Sequence, residues 1–128
     1  MKHLTPKQAF DFLKSSPEAV VRDVRSEIEH MFVGHPEGSM LVPWIDGPDW
    51  DINPAFVAQV KKAASVNRPV VLICRSGKRS IDAGNALENA GLKEIYNVLH
   101  GFEGDLDERH HRNSINGWRF DGLPWAQT

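Results

Sequence analysis

The only cysteine of the chain, Cys74, opens a heptapeptide of sequence CRSGKRS that ends at Ser80. Three cationic side chains follow the thiol within five residues, at Arg75, Lys78 and Arg79. Neighbouring positive charge stabilises a thiolate, which is the nucleophilic and sulfur-binding form of cysteine. The residue types and their spacing therefore predict a reactive thiolate beside a site for an anion.

The segments on either side of this loop explain how it would be positioned. Residues 70–73 form a continuous apolar run, typical of a central strand buried on both faces, and residues 79–90 have helical periodicity. Ligands of open α/β sheets bind beyond the carboxyl ends of strands. Gly77 permits the turn that lets backbone N–H groups converge, and the dipole of the following helix adds positive potential. A buried, inert cysteine is the alternative, which the three adjacent cations make less favourable.

Strand and helix signals alternate along the chain, which predicts an α/β fold with a mainly parallel sheet. We expect strands at residues 19–24, 40–42, 70–73 and 95–99 and helices from residue 6, at 27–32, 53–65 and 79–90. Thr5, Pro6 and Gln8 have capping-box spacing, Ser26 can cap the second helix, and Gly91 can end the last. We expect residues 44–51 to form a loop, residues 101–111 to be partly helical and residues 117–125 to pack irregularly.

Composition limits the functional classes. The chain has 128 residues, a net charge of −2 and 41% apolar residues, which fits one domain over residues 1–128 and gives no general attraction to nucleic acid or an anionic membrane. A single cysteine excludes an intramolecular disulfide and a cysteine-rich zinc site. The longest apolar run, residues 70–74, is too short to span a bilayer. A lone thiol without a leader-like N-terminus leads us to expect a cytoplasmic protein.

Motifs spread over nearly the whole chain resemble the rhodanese family in their order and spacing. The matching segments are LTP before a helix at Leu4–Pro6, DVR at Asp23–Arg25 with Glu29 after it, the G-H loop at Gly34–Ser39, the C-x-x-G-x-R-S loop at Cys74–Ser80, YNV at Tyr96–Val98, GF at Gly101–Phe102, and the tail motifs Gly117-Trp118 and Gly122–Trp125. Pro36 and Glu37 stand where the family usually has Ile and Pro, and His100 replaces a glycine.

The resemblance implies a rhodanese-like fold, a central and mostly parallel sheet of about five strands with helices on both faces. It also implies sulfur transfer by double displacement: Cys74 takes a sulfane sulfur from a donor such as thiosulfate and passes it, as a persulfide, to cyanide or a thiol. The active-site loop implied for substrate binding consists of Arg75, Ser76, Gly77, Lys78 and Arg79. We expect Arg75 and Lys78 to bind the anionic donor.

The remaining residues that the resemblance marks are supporting ones. Asp23, Arg25, Glu29 and Ser80 are expected to surround the loop and fix it. Arg79 could turn inward and pair with Glu29 or Asp23, and Asp23 with Arg25 could form a structural ion pair. No cofactor or metal is implied, and the adjacent His110 and His111 make a poor chelate. His35 is expected to bond a backbone turn.

Three other functions remain open. Related phosphatases have five residues between cysteine and arginine, whereas Cys74 and Arg79 are separated by four, which favours a persulfide over a phosphoryl group. The chain could instead be a rhodanese-like binding or sensing module, although the complete basic loop argues against this. It could also relay a persulfide between protein donors and acceptors. An exposed indole at Trp44 or Trp50 would indicate such a protein partner.

Overall fold

The fold is a parallel sheet with helices on both faces, seen in a computed structural model that describes residues 1–64 and 67–128. The strands are β1 Lys2–Leu4, β2 Val20–Asp23, β3 His35–Pro36, β4 Met40–Leu41, β5 Ile45–Asp46, β6 Asp51–Ile52, β7 Val70–Ile73, β8 Ile95–Val98 and β9 Trp125–Ala126. The helices are α1 Pro6–Ser15, α2 Phe56–Ala63 and α3 Arg79–Asn89, with a π-helical turn at Glu29–Val33.

Five strands form the main sheet in the order β1-β8-β7-β2-β4, and every neighbouring pair is parallel. The central strand β7 is buried along its whole length, as its continuous apolar sequence predicts. The core on one face includes Ala9 of α1, and the core on the other includes Val60 of α2 and Leu87 of α3. The predicted α/β class is therefore confirmed. None of the helices in the described ranges is long and apolar enough to cross a membrane.

The predicted start of the first helix is confirmed, because its capping residues are neighbours in the sequence. Thr5 caps α1 with a complete capping box to Gln8, and Pro6 is the first helical residue. The second long helix begins later than predicted. Asn53 Oδ1 accepts from the N–H of Ala55, and the Asn53 carbonyl accepts from the N–H of Phe56. This turn precedes α2, and the predicted helix end at residue 65 lies outside the described residues.

Several expectations for the less regular segments are wrong. Residues 44–51 were expected to form a loop, but Ile45–Asp46 pairs antiparallel with Asp51–Ile52. Residues 101–111 contain turns and no helix. The tail is partly regular, because Trp125–Ala126 pairs antiparallel with His35–Pro36. No local signal predicts β1, an edge strand of three residues that pairs with β8.

The loop after β8 supports the segment that begins at Cys74. The N–H of Phe102 donates to the Cys74 carbonyl at 2.8 Å, and the N–H of Glu103 donates to the Arg75 carbonyl at 2.9 Å. Gly101 has φ +61°, and a Cβ on it would lie 2.3 Å from the Cys74 carbonyl oxygen. Only glycine lets these two backbone segments approach so closely.

We expect Gly101→Ala to lower the free energy of unfolding and to displace the Cys74 loop. Gly122→Ala is the matched control, because Gly122 has a similar φ of +73° and open space at its Cβ position. The control should cost about 1–2 kcal/mol for left-handed backbone strain, and Gly101→Ala should cost clearly more. Urea denaturation of both variants measures the difference. Equal losses would contradict the role of the close approach.

Candidate active site

Cys74 lies directly after the central strand β7 and five residues before the first residue of α3. The thiol is therefore at the carboxyl end of the parallel sheet, where the sequence placed it. Its sulfur is buried, with only 1% of the residue exposed. The three cations near Cys74 in the sequence favour a reactive thiolate over a buried cysteine. The structure combines burial with polar contacts, because the backbone rather than the cationic side chains surrounds the sulfur.

Three polar groups contact the sulfur atom. The N–H of Gly77 donates to Cys74 Sγ at 3.1 Å, the N–H of Ser80 lies 3.4 Å from it, and Ser80 Oγ lies 3.2 Å from it. In the described part of the chain no side chain caps the N-terminus of α3. The sulfur thus takes the place of a helix cap and meets N–H groups that would otherwise lack partners.

The cations of the loop lie at its rim. Arg75 and Lys78 are exposed, and Ser76 is half-buried. A depression of about 260 Å³ beside the loop is lined by Arg75, Arg79, Glu29 and Trp50. An anion could therefore meet positive charge at the surface before it reaches the sulfur below. The Cys74 thiol can be buried while Arg75 and Lys78 stay in solvent, so a buried sulfur and a cationic loop occur in the same site.

Arg79 forms a two-pronged ion pair with Glu29, one of the two partners considered from the sequence. The two nitrogen–oxygen distances are 2.7 and 2.8 Å. Burial alone would raise the pKa of Glu29, but the hydrogen bonds and charge of Arg79, aided by Ser26, lower it to about 2. Burial likewise opposes the charged form of Arg79, yet Glu29 raises the pKa of the guanidinium. The pair fixes the start of α3 to the π-helical turn.

That π-helical turn is itself anchored at its start. Ser26 Oγ donates to the Glu29 carboxylate at 2.9 Å, and the N–H of Ser26 donates to the same oxygen at 3.2 Å. The N–H of Glu29 donates back to Ser26 Oγ at 3.3 Å. Ser26 therefore performs the predicted capping role, although the helical segment that follows is π-helical from Glu29.

Asp23 and Arg25 form a fully buried ion pair, the structural arrangement favoured from the sequence. Arg25 Nε donates to Asp23 Oδ1 at 2.8 Å, and Arg25 Nη2 also donates to the Gly34 carbonyl. The guanidinium lies 4.6 Å from the ring centre of Phe102. The pair joins the end of β2 to the loops at Gly34 and Phe102. His35 Nδ1 contacts the backbone carbonyl of His30 at 2.9 Å.

Sequence reasoning missed two residues that reach the site and left a third undecided. Asn97 contacts Ser80 from the buried strand β8, and His3 contacts Asn97 from β1. A polar amide inside an otherwise apolar strand was the available signal for Asn97, whereas His3 gave none. Trp50 is 52% exposed and lies 5.4 Å from the Arg79 guanidinium. Trp44, the other candidate, packs against Phe56.

We expect Glu29→Gln to reduce the acid dependence of stability. The folded-state pKa of Glu29, about 2, lies below the ordinary value of about 4.3. The ion pair therefore stabilises the wild type fully above the ordinary value and is lost as pH falls through the folded one. The wild type should be the more stable protein at neutral pH, and its advantage over Glu29→Gln should shrink between about pH 5 and pH 2.

Denaturant unfolding at a series of pH values measures this difference. Glu27→Gln is the control, because Glu27 is an exposed glutamate two residues away on the same segment. It should follow the wild type at every pH. A stability difference between wild type and Glu29→Gln that does not depend on pH would contradict the ion-pair account.

Comparison with known proteins identifies the family. Residues 5–108 match the family described as Rhodanese-like domain. The thiosulfate sulfurtransferase GlpE of Stutzerimonas stutzeri (strain A1501) is 32% identical over 103 residues, covering 80% of this chain and 82% of that protein. A Rickettsia rickettsii protein, the uncharacterized RP600 homolog, is 32% identical over 130 residues, covering 98% of this chain and 97% of its own.

A solved structure agrees over nearly the whole of both chains. The crystal structure of Rv0390 from M. tuberculosis has a TM-score of 0.89 and 41% sequence identity, with 100% of this chain and 98% of that chain covered. The fold, the cysteine loop and these similarities agree on one conclusion: the chain belongs to the rhodanese family, whose relatives include sulfurtransferases.

Proposed function

We propose that the protein is a sulfurtransferase that carries a sulfane sulfur as a persulfide on Cys74. The observation that supports this most directly is the convergence of the Gly77 and Ser80 N–H groups on the sulfur atom. Such groups stabilise an anionic sulfur by charge-assisted hydrogen bonds. They act in a buried setting, where preorganised donors are most effective because no water has to be displaced or reoriented.

The proposed reaction has two displacements. The Cys74 thiolate attacks the outer sulfur of thiosulfate, a new S–S bond forms, the S–S bond of thiosulfate breaks, and sulfite leaves with the electron pair. In the second step cyanide or a thiolate attacks the outer sulfur of the persulfide. The Cys74 thiolate departs with the electron pair of the S–S bond, and thiocyanate or a new persulfide is released. No external oxidant or reductant is needed.

The loop residues divide into two groups in this proposal. Arg75 and Lys78 are exposed at the rim and bind the anionic donor. Gly77 contributes its N–H to the sulfur and tolerates the required φ of +95°. Arg79 is engaged with Glu29 and holds the loop in place, so it is a structural residue rather than a substrate ligand.

The loop length argues against phosphoryl transfer. Four residues separate Cys74 from Arg79, and the guanidinium that would hold a phosphate is already paired with Glu29. A single additional sulfur atom needs less space within this loop than a tetrahedral phosphoryl group does. A persulfide is therefore the better supported intermediate.

The exposed Trp50 beside the loop supports a protein as the natural donor or acceptor. Its indole lies at the rim of the depression that also contains Arg75. Exposed tryptophan is enriched where proteins bind one another. In this variant of the proposal a persulfide passes between two cysteines and thiosulfate is a substitute donor.

We further propose that residues 1–128 form one domain and that it acts in the cytoplasm, where its lone thiol stays reduced.

We expect incubation with thiosulfate to add one sulfur atom, about 32 Da, to the intact protein, and dithiothreitol to remove it. Cyanide should remove it as well and yield thiocyanate in equal amount. Intact-mass spectrometry together with a colorimetric thiocyanate assay measures both steps. The physical reason is that the buried N–H groups stabilise the anionic persulfide.

Cys74→Ser is the control, because it keeps the size of the side chain and removes the nucleophile. This variant should show no mass gain. If neither thiosulfate nor a polysulfide adds sulfur to the wild type, the proposal is wrong and a binding or sensing module becomes the better hypothesis.

A further inference from the structure

A line of hydrogen bonds runs from the buried sulfur to the protein surface. Cys74 Sγ lies 3.2 Å from Ser80 Oγ, Ser80 Oγ donates to Asn97 Oδ1, and Asn97 Nδ2 donates to His3 Nδ1 at 3.1 Å. Ser80 and Asn97 are buried, whereas His3 is exposed. The sulfur transfer proposed above uses neither Asn97 nor His3, so their connection to the sulfur calls for an explanation.

The orientation of the Asn97 amide is determined by its neighbours. Its Nδ2 faces the Gly77 carbonyl at 3.4 Å as well as His3 Nδ1. Only the NH₂ end of an amide can donate to a carbonyl oxygen, so in this orientation Oδ1 faces Ser80. A serine hydroxyl has one proton, and Ser80 gives it to Asn97. Ser80 Oγ therefore presents a lone pair to the sulfur.

We propose that Asn97 and His3 are positioning residues that set the direction of the Ser80 hydroxyl and, through it, the charge state of sulfur that the site favours. The inference rests on the proposed persulfide function. The orientation described above suits a thiol, because Cys74 S–H can donate to Ser80 Oγ. A thiolate or a persulfide anion has no such proton and requires Ser80 to donate instead.

The direction of these hydrogen bonds can be reversed without breaking a covalent bond between heavy atoms. The Ser80 hydroxyl rotates toward the sulfur, the Asn97 amide turns over so that Nδ2 donates to Ser80 Oγ, and Asn97 Oδ1 then faces His3. His3 must now donate from Nδ1, so its ring proton moves from Nε2 to Nδ1 by exchange with water. The turn gives up the long contact of 3.4 Å between Asn97 Nδ2 and the Gly77 carbonyl. Asn97 then keeps a hydrogen bond to β1 only if His3 can change from acceptor to donor.

His3 is suited to this because an imidazole nitrogen can either donate or accept. Its ring is exposed and therefore able to exchange protons with solvent. Within residues 1–64 and 67–128, the imidazole of His3 has its hydrogen bond with Asn97 and no ion pair. The parallel register of β1 and β8 sets His3 opposite Asn97, so the missed edge strand delivers this residue to the site.

Three variants of β1 test the inference. His3→Leu removes both roles of the ring, whereas His3→Asn keeps an amide whose atoms can replace Nδ1 as acceptor or donor. Lys2→Leu is the matched control, because Lys2 is an exposed neighbour of His3 on the same strand and its side chain points to the opposite face of the sheet. Because His3 and Lys2 are exposed, we expect all three variants to retain the wild-type melting midpoint within a few degrees.

The first measurement is the rate of Cys74 alkylation by iodoacetamide, and the second is the single-turnover rate of persulfide formation from thiosulfate. His3→Leu should lower the alkylation rate and the maximal persulfidation rate about threefold to tenfold, as expected for one net hydrogen bond. The thiosulfate concentration that gives half the maximal rate should not change, since Arg75 and Lys78 are untouched. His3→Asn should restore both rates, and Lys2→Leu should match the wild type.

Wild-type rates in His3→Leu, or rates in His3→Asn as low as those in His3→Leu, would overturn the inference. Alkylation needs no sulfur donor, so it tests the hydrogen-bond line separately from the proposed function. If the alkylation rates follow the predicted order among the variants but no persulfide forms, the proposed function is refuted and the hydrogen-bond line is retained.

Nitrogen-15 NMR gives a test independent of reactivity. With the thiol intact, Nδ1 of neutral His3 should be less protonated than Nδ1 of exposed His111, and equal protonation would overturn the inference.

Discussion

The meeting of backbone N–H groups with the Cys74 sulfur is the interaction on which the rest of the site depends. It exists because a buried strand ends just before Cys74 and a helix begins at Arg79 for which the described residues supply no side-chain cap. The first N–H groups of an uncapped helix lack hydrogen-bond acceptors, and a buried anionic sulfur needs hydrogen-bond donors. The N–H groups and the sulfur are partners for each other, so the backbone holds the sulfur while the side chains of Arg75 and Lys78 remain at the surface.

Two supports keep the loop in this conformation. The ion pair between Arg79 and Glu29 holds α3 against the π-helical turn, and the backbone at Gly101 lies against the carbonyl of Cys74. One support is electrostatic and the other is steric. Together they hold the backbone of the loop in the conformation that directs its N–H groups at the sulfur, which is the preorganisation that the proposed persulfide would require.

The sequence predicted those parts of the fold whose signals are local. The apolar run of β7, the capping box at Thr5 and the periodicity of α3 each specify an element from neighbouring residues, and the cysteine loop between β7 and α3 followed from them. The edge strand β1 was missed because its three residues, Lys2–Leu4, carry no local strand pattern and become a strand only by pairing with β8, far along the chain. The missed contacts of His3 with Asn97 have the same origin.

The environment of Cys74 was only half predicted, for a related reason. Sequence spacing indicates that Arg75, Lys78 and Arg79 are near the thiol, but it does not indicate which way each side chain turns. In the structure Arg79 turns to Glu29, fifty residues away in sequence, and the other two turn outward. Arg79 and Glu29 come together only once the sheet has formed. The sequence could therefore suggest this ion pair only through the resemblance to the rhodanese family.

The most direct test of the central claim is a high-resolution crystal structure of the protein after exposure to thiosulfate. The account predicts a second sulfur bonded to Cys74 Sγ at about 2.0 Å. It also predicts that N–H groups of the loop through Ser80 donate to this outer sulfur and that the Arg79–Glu29 pair is intact. An unmodified Cys74 in crystals that contain thiosulfate at the loop, or a persulfide that points away from the N–H groups, would contradict it.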